Sequence, residues 1–406
     1  MKIMFLSYMD FLGAGNAAKK IFKMLDENGI DIDFFVKKKN SELSKKIDLK
    51  FDEKVHDAIF DFLNYSSNKF LNNKFGRRYN PYHKSLGWFN SPYPKIINKT
   101  DYDIIHLNWV NNFLSIDDIV KINKPIVWRF SDMWPILGIN HYSNNYSINS
   151  LYSKIDKISL KKKDKFKNKN FYVVAPSKWM ESEIRKKKIS ENWSINTIYT
   201  PIDDNIFIPI GKNKIESIKD KYNINKTDKV LCFCADDINE NRKGLHKIID
   251  IFKKNLIDEH NFTLLTIGKG ETKNKKINNL TIKNLGYINS QIDINEIFNI
   301  SDLLILFSDI DNLPQVGLEA QMSGLPIVTY NHSGMSEIIE NNVTGFYVND
   351  DSESVVKNLK HFFNTNKNNV NYRGSSRKRS LSLWSKNIIY KKYLILYENI
   401  LNEKKN

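Results

Sequence analysis

The sequence predicts an α/β protein built from two Rossmann-like domains whose parallel sheets face a cleft. Two patterns indicate this fold: apolar runs of strand length alternate with stretches of helical periodicity, and the alternation starts again after a proline-bounded segment at 198–209. The length of 406 residues also exceeds one ordinary domain. We therefore expect domains at 1–200 and 201–380, and a C-terminal helix at 381–406 that crosses back to the N-terminal domain.

The first domain opens with a strand (KIMFLSY), a glycine-containing loop (FLGAGN) and a helix. Apolar residues at helical spacing indicate one face of that helix: Ala17, Ala18, Ile21, Phe22 and Leu25. Further strands are predicted at DIDFFV, DIIHLNW, PIVWRF and FYVVAPS. Residues 40–100 have weak periodicity and many Asn, Lys and aromatic residues. This region contains either helices with a loose loop or aromatic platforms for a sugar.

The second domain repeats the alternation. Its strands are predicted at KVLCFCA, FTLLTIG, LTIKNLGY, DLLILF and PIVTY, and one of its helices at Leu245, Ile248, Ile249 and Phe252. The final stretch, WSKNIIYKKYLILYENIL, has the pattern of a long amphipathic helix. In sheets of this kind ligands bind at the carboxyl ends of the strands, so the loops that follow the strands are the places to search for a site.

Composition narrows the class of protein. The formal charge is +16, from 62 basic and 46 acidic residues, which is compatible with nucleic acid, an anionic membrane surface or a phosphorylated substrate. Asp10 interrupts the apolar start, which favours a first strand over a secretory signal. Cys232 and Cys234 lie in one apolar strand and are expected to be buried thiols in a reducing compartment. We expect a cytoplasmic protein.

The segment DNLPQVGLEAQMSGLPIVTY places Asp311 and Glu319 with seven residues between them. Asp311 follows an apolar strand, Pro314 suits the first turn of a helix, and Gly324 suits its end. The two carboxylates would then lie at most about 12 Å apart, comparable with the reach from a ribose to a hexose across a diphosphate. The first amides of the helix would form an anion site. Alternatively, Asp311 is a cap and Glu319 a solvated helix residue.

Further motifs occur in a fixed order along the chain. They are DYDIIHLNW, PIVWRFSDMWPILGINHYS, VVAPSKWM, TPIDDNIF, NRKG, and GYI followed by SDLLILFS. With the acidic pair they resemble bacterial retaining glycosyltransferases of the GT-B fold, family 4. The SDMWP and HYS elements are similar to the subgroup that assembles capsule, exopolysaccharide or O-antigen. The resemblance implies a hexosyltransferase that moves a hexose from a nucleotide diphosphate sugar to a saccharide or lipid-linked saccharide acceptor.

The resemblance also implies a donor site. Glu319 would bind the nucleotide ribose, and Asp311, where the family usually carries Glu, would bind hydroxyls of the donor sugar. The other implied donor-binding residues are the amides of Gln315 and Val316 at the diphosphate, Lys243 with Arg242 neutralising it, Gly13 and Gly15 in a loop near the leaving phosphate, and Tyr287 near the base pocket.

The reaction centre is expected near Asp132, which follows the strand PIVWRF, and His141, nine positions later. The resemblance implies front-face displacement, in which the departing phosphate itself can accept the acceptor's proton, so no strong protein base is required. Asp132 would then position an acceptor or donor hydroxyl, and His141 would contact phosphate or sugar. Alternatively, Asp132 caps the following loop and His141 is a satisfied, partly buried imidazole. His106, at a strand end, is left out of the catalytic set.

Asp309-Ile310-Asp311 spells D-x-D, a metal-binding pattern of the GT-A fold. We expect no metal here, because helix amides and Lys243 would neutralise the diphosphate. The basic run LKKKDKFKNKN at 160–170, with Ile155, Ile158 and Leu160, predicts either peripheral contact with an anionic inner membrane leaflet or a solvated helix.

Two other classes of function remain open. The same two-domain fold serves sugar-nucleotide epimerases and glycoside phosphorylases. A basic nucleic-acid-binding or DNA-glycosylating protein would fit the charge, but no recognition helix, zinc ligand set or aromatic RNA-binding signature accompanies it, so we expect no nucleic-acid partner. Pocket shape, which the sequence does not give, sets the donor base and sugar and the acceptor hydroxyl.

Overall fold

A computed structural model of the chain describes residues 1–75, 83–143, 150–254, 256–257, 260–270, 274–365 and 370–405. Contacts divide the chain into two compact units. Unit 1 comprises Met1–Thr200 with Tyr390–Asn406, and unit 2 comprises Pro201–Ile389.

Unit 1 alternates strands and helices. Its elements are β1 (Lys2–Met9), α1 (Leu12–Glu27), β2 (Asp31–Lys38), α2 (Phe51–Phe75), α3 (Tyr93–Ile97), β3 (Ile104–Leu107), α4 (Ile116–Lys121), β4 (Ile126–Arg129), α5 (Ser150–Lys163), β5 (Phe171–Ala175), α6 (Lys178–Arg185) and β6 (Ser194–Thr197). The apolar face predicted for α1 is buried at every one of its five positions. Burial of that face is what holds the helix on the sheet.

The sheet of unit 1 follows the order β2-β1-β3-β4-β5-β6 with parallel neighbours. Ile3 pairs with Ile32 on one side and Ile104 on the other. Strands β3 and β4 are buried along their whole length, as strands of a sheet covered on both faces are. The strand order reverses between β1 and β3. A ligand crevice is therefore expected at the carboxyl ends of these two strands.

Unit 2 contains a second alternation. Its elements are α7 (Lys212–Lys221), β7 (Lys229–Asp237), α8 (Leu245–Lys253), β8 (Phe262–Lys269), β9 (Lys275–Ile277), β10 (Leu280–Asn284), α9 (Gln291–Ile300), β11 (Leu303–Leu306), α10 (Gln315–Met322), β12 (Ile327–Tyr330), β13 (Gly345–Val348), α11 (Ser352–Thr365), α12 (Val370–Trp384) and the start of α13 (Lys386–Lys405). The sheet order is β13-β12-β11-β7-β8-β10-β9. Its strands pair in parallel except for β9 with β10. Here the order reverses between β7 and β11.

The structure corrects the predicted start of the first helix. FLGAGN is not a loop, because α1 begins at Leu12 and includes Gly13 and Gly15 in its first turn. Leu12 adopts a positive φ of 59° at this start. A Cβ at Gly15 would lie 2.8 Å from the Met9 carbonyl oxygen, so the helix packs directly on the end of β1. Glycine is required by this close approach.

The weakly periodic region 40–100 contains α2 and α3. Residues 76–82, which include only part of the aromatic-rich sequence of this region, lie outside the described residues. The final amphipathic stretch also differs from expectation. It begins at the last residue of α12, and α13 starts only after a break at Ser385. Across the described ranges, none of the helices is both long and apolar enough to cross a bilayer.

The C-terminal part of α13 packs within unit 1. The Tyr397 hydroxyl lies 2.6 Å from His106 Nδ1, and the Tyr393 ring lies 5.7 Å from the His106 ring. Burial lowers the pKa of His106 well below its ordinary value, and the nearby Arg129 charge adds to this. The neutral imidazole is therefore part of the core.

Candidate functional site

The expected crevice of unit 2 is formed by the ends of β7 and β11. Lys243 belongs to a short 3-10 turn after β7, and Asp311 follows β11. The Lys243 Nζ atom lies 2.6 Å from Asp311 Oδ2, and Arg242 Nη1 lies 3.4 Å from the same oxygen. The topology therefore brings together three residues that the sequence analysis selected separately.

Asp311 is a largely buried carboxylate. Its side chain is 13% exposed. Burial alone would raise the pKa of Asp311, but Lys243 and Arg242 outweigh this and hold the pKa below its ordinary value. The Asn312 amide also donates to Asp311 Oδ1 at 3.0 Å. Asp311 is thus an ionised acceptor whose partners are two cations and an amide.

Two glycines allow the loops at this crevice to approach each other. Gly244 has φ +82°, and a Cβ there would lie 2.3 Å from the Phe307 carbonyl oxygen. A Cβ at Gly334 would lie 1.2 Å from the Asn312 carbonyl oxygen. Gly334 belongs to the HSGMSE segment, which forms a 3-10 turn over Ser333–Glu337. These contacts fix the loop that carries Asp311.

Helix α10 starts at the same edge. Pro314 precedes its first residue and has no side-chain group that could cap the helix. Gln315 and Val316 form the first turn and are half-buried. The positive end of the helix dipole and its first amides therefore lie a few residues from Asp311, where an anion would be stabilised.

Glu319 lies on the second turn of α10 and is half-buried. Burial raises the pKa of the Cys234 thiol in β7, the charge of Glu319 raises it further, and Lys243 opposes the rise. Glu319 and Lys243 thus both act electrostatically on one thiol near the end of β7. Whether Glu319 binds a ribose stays a prediction.

Tyr287 and Asp309 complete the predicted positions of unit 2. Tyr287 is 43% exposed and lies beside Lys269, whose Nζ is 5.4 Å from the ring centre. Asp309 pairs with Lys247 at 2.9 Å, whereas Asp311 pairs with Lys243. The two carboxylates of the D-x-D pattern therefore have different lysine partners.

In unit 1 the two predicted catalytic residues contact each other. Asp132 Oδ2 lies 2.6 Å from His141 Nδ1 and accepts from Trp109 Nε1 at 2.8 Å. Asp132 Oδ1 accepts from the Trp134 amide at 2.9 Å. Burial alone would raise the pKa of Asp132, but His141 and these donors lower it below its ordinary value. Asp132 is therefore a buried carboxylate with several donors around it.

His141 is held at both ring nitrogens. Its Nε2 atom lies 3.0 Å from Ser85 Oγ and 3.4 Å from Asn111 Nδ2, and its side chain is 4% exposed. Hydrogen bonds connect Ser85 to His141 and His141 to Asp132, as in the serine–histidine–aspartate triad of hydrolases. However, Ser85 is only 2% exposed, so it is not accessible as a nucleophile. This geometry matches the alternative of a loop cap and a satisfied imidazole. Direct substrate contact by Asp132 or His141 stays a prediction.

Sequence reasoning missed the role of Lys163 at the loop that follows Asp132. Lys163 is fully buried, donates to the carbonyls of Trp134, Leu137 and Gly138, and thereby holds the loop after Asp132. The sequence predicts this lysine to belong to a solvated or membrane-facing basic run. On α5 it lies four residues after Ser159, which is also buried, but the sequence of the run does not distinguish it from the neighbouring lysines.

A family model described as "Glycosyl transferases group 1" matches residues 214–379. This range includes Lys243, Asp311 and α10. Residues 214–379 form a glycosyltransferase group 1 domain. The contacts between Lys243, Arg242 and Asp311 lie inside this group 1 domain.

Curated relatives match over part of their length. An N-acetyl-alpha-D-glucosaminyl L-malate synthase of Bacillus anthracis is 26% identical over 162 residues, which are 39% of this chain and 41% of that protein. The capsular polysaccharide biosynthesis glycosyltransferase CapM of Staphylococcus aureus is 26% identical over 171 residues, 40% of this chain and 44% of CapM. The chain thus aligns with less than half the length of these two proteins.

Solved structures match over nearly the whole chain. A glycosyltransferase of Rickettsia africae has a TM-score of 0.67 and 18% identity, with 98% of both chains covered. HepE of Anabaena, solved in complex with UDP and glucose, has a TM-score of 0.64 and 15% identity, with 98% of this chain and 99% of HepE covered. The predicted fold of two Rossmann-like domains, matching GT-B glycosyltransferases, is confirmed.

Proposed function

We propose that the protein is a retaining hexosyltransferase of family 4. It moves a hexose from a nucleotide diphosphate sugar to a saccharide or lipid-linked saccharide acceptor in bacterial surface polysaccharide biosynthesis. The observation that carries this proposal is the contact of Lys243 and Arg242 with Asp311 beside the amino end of α10, inside the group 1 domain. Two cations and a helix amino end suit a diphosphate.

In the proposed complex the diphosphate lies against the amides of Gln315 and Val316. Lys243 then divides its three donors between a phosphate oxygen and Asp311, to which it is already bound. Asp311 keeps lone pairs for a sugar hydroxyl, and Glu319 accepts from the ribose. Lys243 and Asp311 are held by their ion pair before the donor arrives, which lowers the ordering cost of binding.

We propose that no metal neutralises the donor. The carboxylates of Asp309 and Asp311 are engaged by Lys247 and Lys243 respectively, so a divalent cation would have to displace both lysines. Transfer should therefore be unchanged when EDTA replaces added Mg²⁺ or Mn²⁺. Activity that depends on added metal would contradict this part of the proposal.

The comparisons support the donor and product classes. CapM is named for capsular polysaccharide biosynthesis, and HepE was solved with UDP and glucose. A thermal-shift screen against UDP-, GDP- and ADP-sugars would identify the donor base. NMR of the product would then give its anomeric configuration, which should equal that of the donor.

The decisive variant is Glu319→Ala, assayed for transfer to a panel of octyl glycosides. We expect transfer to be abolished and the circular dichroism spectrum to be unchanged. Glu353→Ala is the matched control, because Glu353 is an exposed acidic residue in the first turn of α11. Undiminished transfer by Glu319→Ala contradicts the proposal, and release of an epimerised sugar without an acceptor indicates the epimerase alternative.

We also propose peripheral contact with an anionic membrane. On α5, Lys157, Ile158 and Lys161 are exposed, and the solvent side of α2 exposes Phe51 and Phe62 to 83% and 69%. Each basic residue near such a surface contributes about 1 kcal/mol. Flotation with phosphatidylglycerol vesicles should recover the protein at low salt, and Lys157→Glu with Lys161→Glu should reduce recovery. Equal recovery with neutral vesicles, or unchanged recovery of the variant, contradicts the contact.

A further inference from the structure

The expected crevice of unit 1 has aromatic side chains at its edge. Tyr8 is the next-to-last residue of β1, and Trp109 lies just after β3. These are the two strands between which the sheet order reverses. The Tyr8 amide donates to the Trp109 carbonyl oxygen at 2.7 Å, which continues the pairing of the two strands. In a parallel sheet this is the position at which ligands bind.

A third ring extends this pair. The Tyr8 and Trp109 rings are 5.6 Å apart at 71°, and the His83 ring is 6.3 Å from the Trp109 ring. His83 is exposed, whereas Tyr8 and Trp109 are half-buried. We call Tyr8, His83 and Trp109 the aromatic shelf.

The shelf rests on the buried pair Asp132 and His141. Asp132 accepts from Trp109 Nε1, and the His141 ring lies 4.8 Å from the His83 ring at 68°. Since Asp132 and His141 are themselves bound to each other, the pair contacts two of the three shelf rings. If the shelf binds substrate, Asp132 and His141 act by positioning its rings and need not touch the substrate themselves.

The chemistry of the shelf suits a sugar ring. A pyranose has a face of C–H groups that packs on aromatic rings, and its hydroxyls need donors and acceptors at the edge. The His83 imidazole supplies one nitrogen of each kind when neutral. Lys38 Nζ, 5.3 Å from the centre of the Tyr8 ring, adds a donor.

We propose that the aromatic shelf binds a sugar ring of the acceptor. That this sugar is the acceptor rests on the proposed function, whereas the binding of a sugar ring to the shelf does not. The shelf makes the acceptor a saccharide rather than a small dicarboxylate, the class for which the malate synthase relative is named. A dicarboxylate would favour paired cationic forks over aromatic rings.

Binding is tested first without turnover. Saturation-transfer NMR with octyl glucoside, octyl galactoside and octyl N-acetylglucosaminide should show sugar-ring contact with the wild type. His83→Ala and Tyr8→Leu should weaken this binding about tenfold, the loss expected from removing one stacking or hydrogen-bonding partner. His56→Ala is the control, because His56 is an exposed histidine of α2 whose Nε2 lies 3.1 Å from the Asn90 carbonyl oxygen.

Kinetics then give the role in transfer. His83→Ala and Tyr8→Leu should raise KM for the glycoside about tenfold, whereas the control His56→Ala should leave this KM unchanged. Unchanged glycoside binding in both variants overturns the inference, as does binding of malate in place of every glycoside. A wild type that binds glycosides through His83 but transfers no sugar refutes the proposed function and leaves the sugar-binding shelf standing.

Discussion

Replacing Lys243 by Met would test whether one contact both stabilises the group 1 domain and prepares its donor site. The variant keeps most of the aliphatic stem of Lys243 and removes the Nζ atom that lies 2.6 Å from Asp311 Oδ2. Among the residues that the structure describes, Asp311 would then retain only Arg242, at 3.4 Å, as a cationic partner. Its largely buried carboxylate would lose much of the interaction that offsets desolvation.

The expected cost follows from the burial of the pair. Removing one partner of a fully buried ion pair costs roughly 3–5 kcal/mol. Lys243 and Asp311 are 20% and 13% exposed, and Arg242 remains, so we expect a loss of about 2 kcal/mol. For a unit of this size that corresponds to a decrease in Tm of about 4–8 °C. Lys243→Met combined with Asp311→Asn should cost less than the sum of the two single variants.

Differential scanning calorimetry of the four proteins gives the coupling, and UDP titration of each gives the effect on the donor site. Lys253→Met and Asp250→Asn form the matched control cycle, because this pair has a similar distance of 2.8 Å but is 55% and 49% exposed. Its coupling should be below about 0.5 kcal/mol. Additive costs at Lys243 and Asp311, or unchanged UDP affinity in Lys243→Met, would refute the reasoning.

The same pair predicts a dependence on pH. The pKa of Asp311 is lowered from its ordinary value of 3.8, so its ionised form contributes stability that is fully present above 3.8. That contribution is lost as the pH falls from 3.8 through the lower pKa of the folded state. The difference in Tm between wild type and Asp311→Asn should therefore be constant from pH 7 to 5 and shrink below 3.8. A difference that grows on acidification would show the opposite sign of coupling.

Two further substitutions test the loops around the sites. Gly334→Ala should destabilise unit 2 by about 3 kcal/mol and abolish UDP binding, because a Cβ there would lie 1.2 Å from the Asn312 carbonyl oxygen. Gly211→Ala is the control, because nothing lies within 4 Å of a Cβ at that position. It should change neither stability nor UDP binding in the same titrations. Lys163→Met should lower the free energy of unfolding in urea by about 3 kcal/mol, because three carbonyl acceptors lose their donor. Lys161→Met, at an exposed position, should lower it by less than about 0.5 kcal/mol. Equal stability of the two lysine variants would remove Lys163 from its assigned role.

Much of the fold could be predicted because the strands are short, apolar and bounded by polar turns. DIDFFV, PIVWRF and DLLILF each form a strand within one or two residues of the expected limits. The limits of α1 were less predictable, since two glycines in FLGAGN are typical of a loop. Only the contact of Gly15 with the end of β1 explains why they belong to a helix. The strand Ser194–Thr197 was missed because it is partly exposed and polar.

The site was predictable only residue by residue. Lys243 and Asp311 were selected through separate motifs, but their contact could not be predicted from a spacing of 68 positions. His83 lies in a region without clear periodicity, and the basic run around Lys163 gave no sign that one lysine turns inward. The partners of these side chains come from distant segments. Their roles therefore depend on strand order.

By itself the sequence determined the local structure and the identity of the ionisable groups, because period and side-chain chemistry are properties of neighbouring residues. Tertiary structure alone decided which carboxylate lies against which cation, which lysine is buried, and which rings share an edge of the sheet. The physical reason is that a reversal in strand order brings the ends of strands distant in sequence to one crevice. Burial in that crevice then affects how strongly each pair of charged groups interacts and in which direction each pKa is shifted.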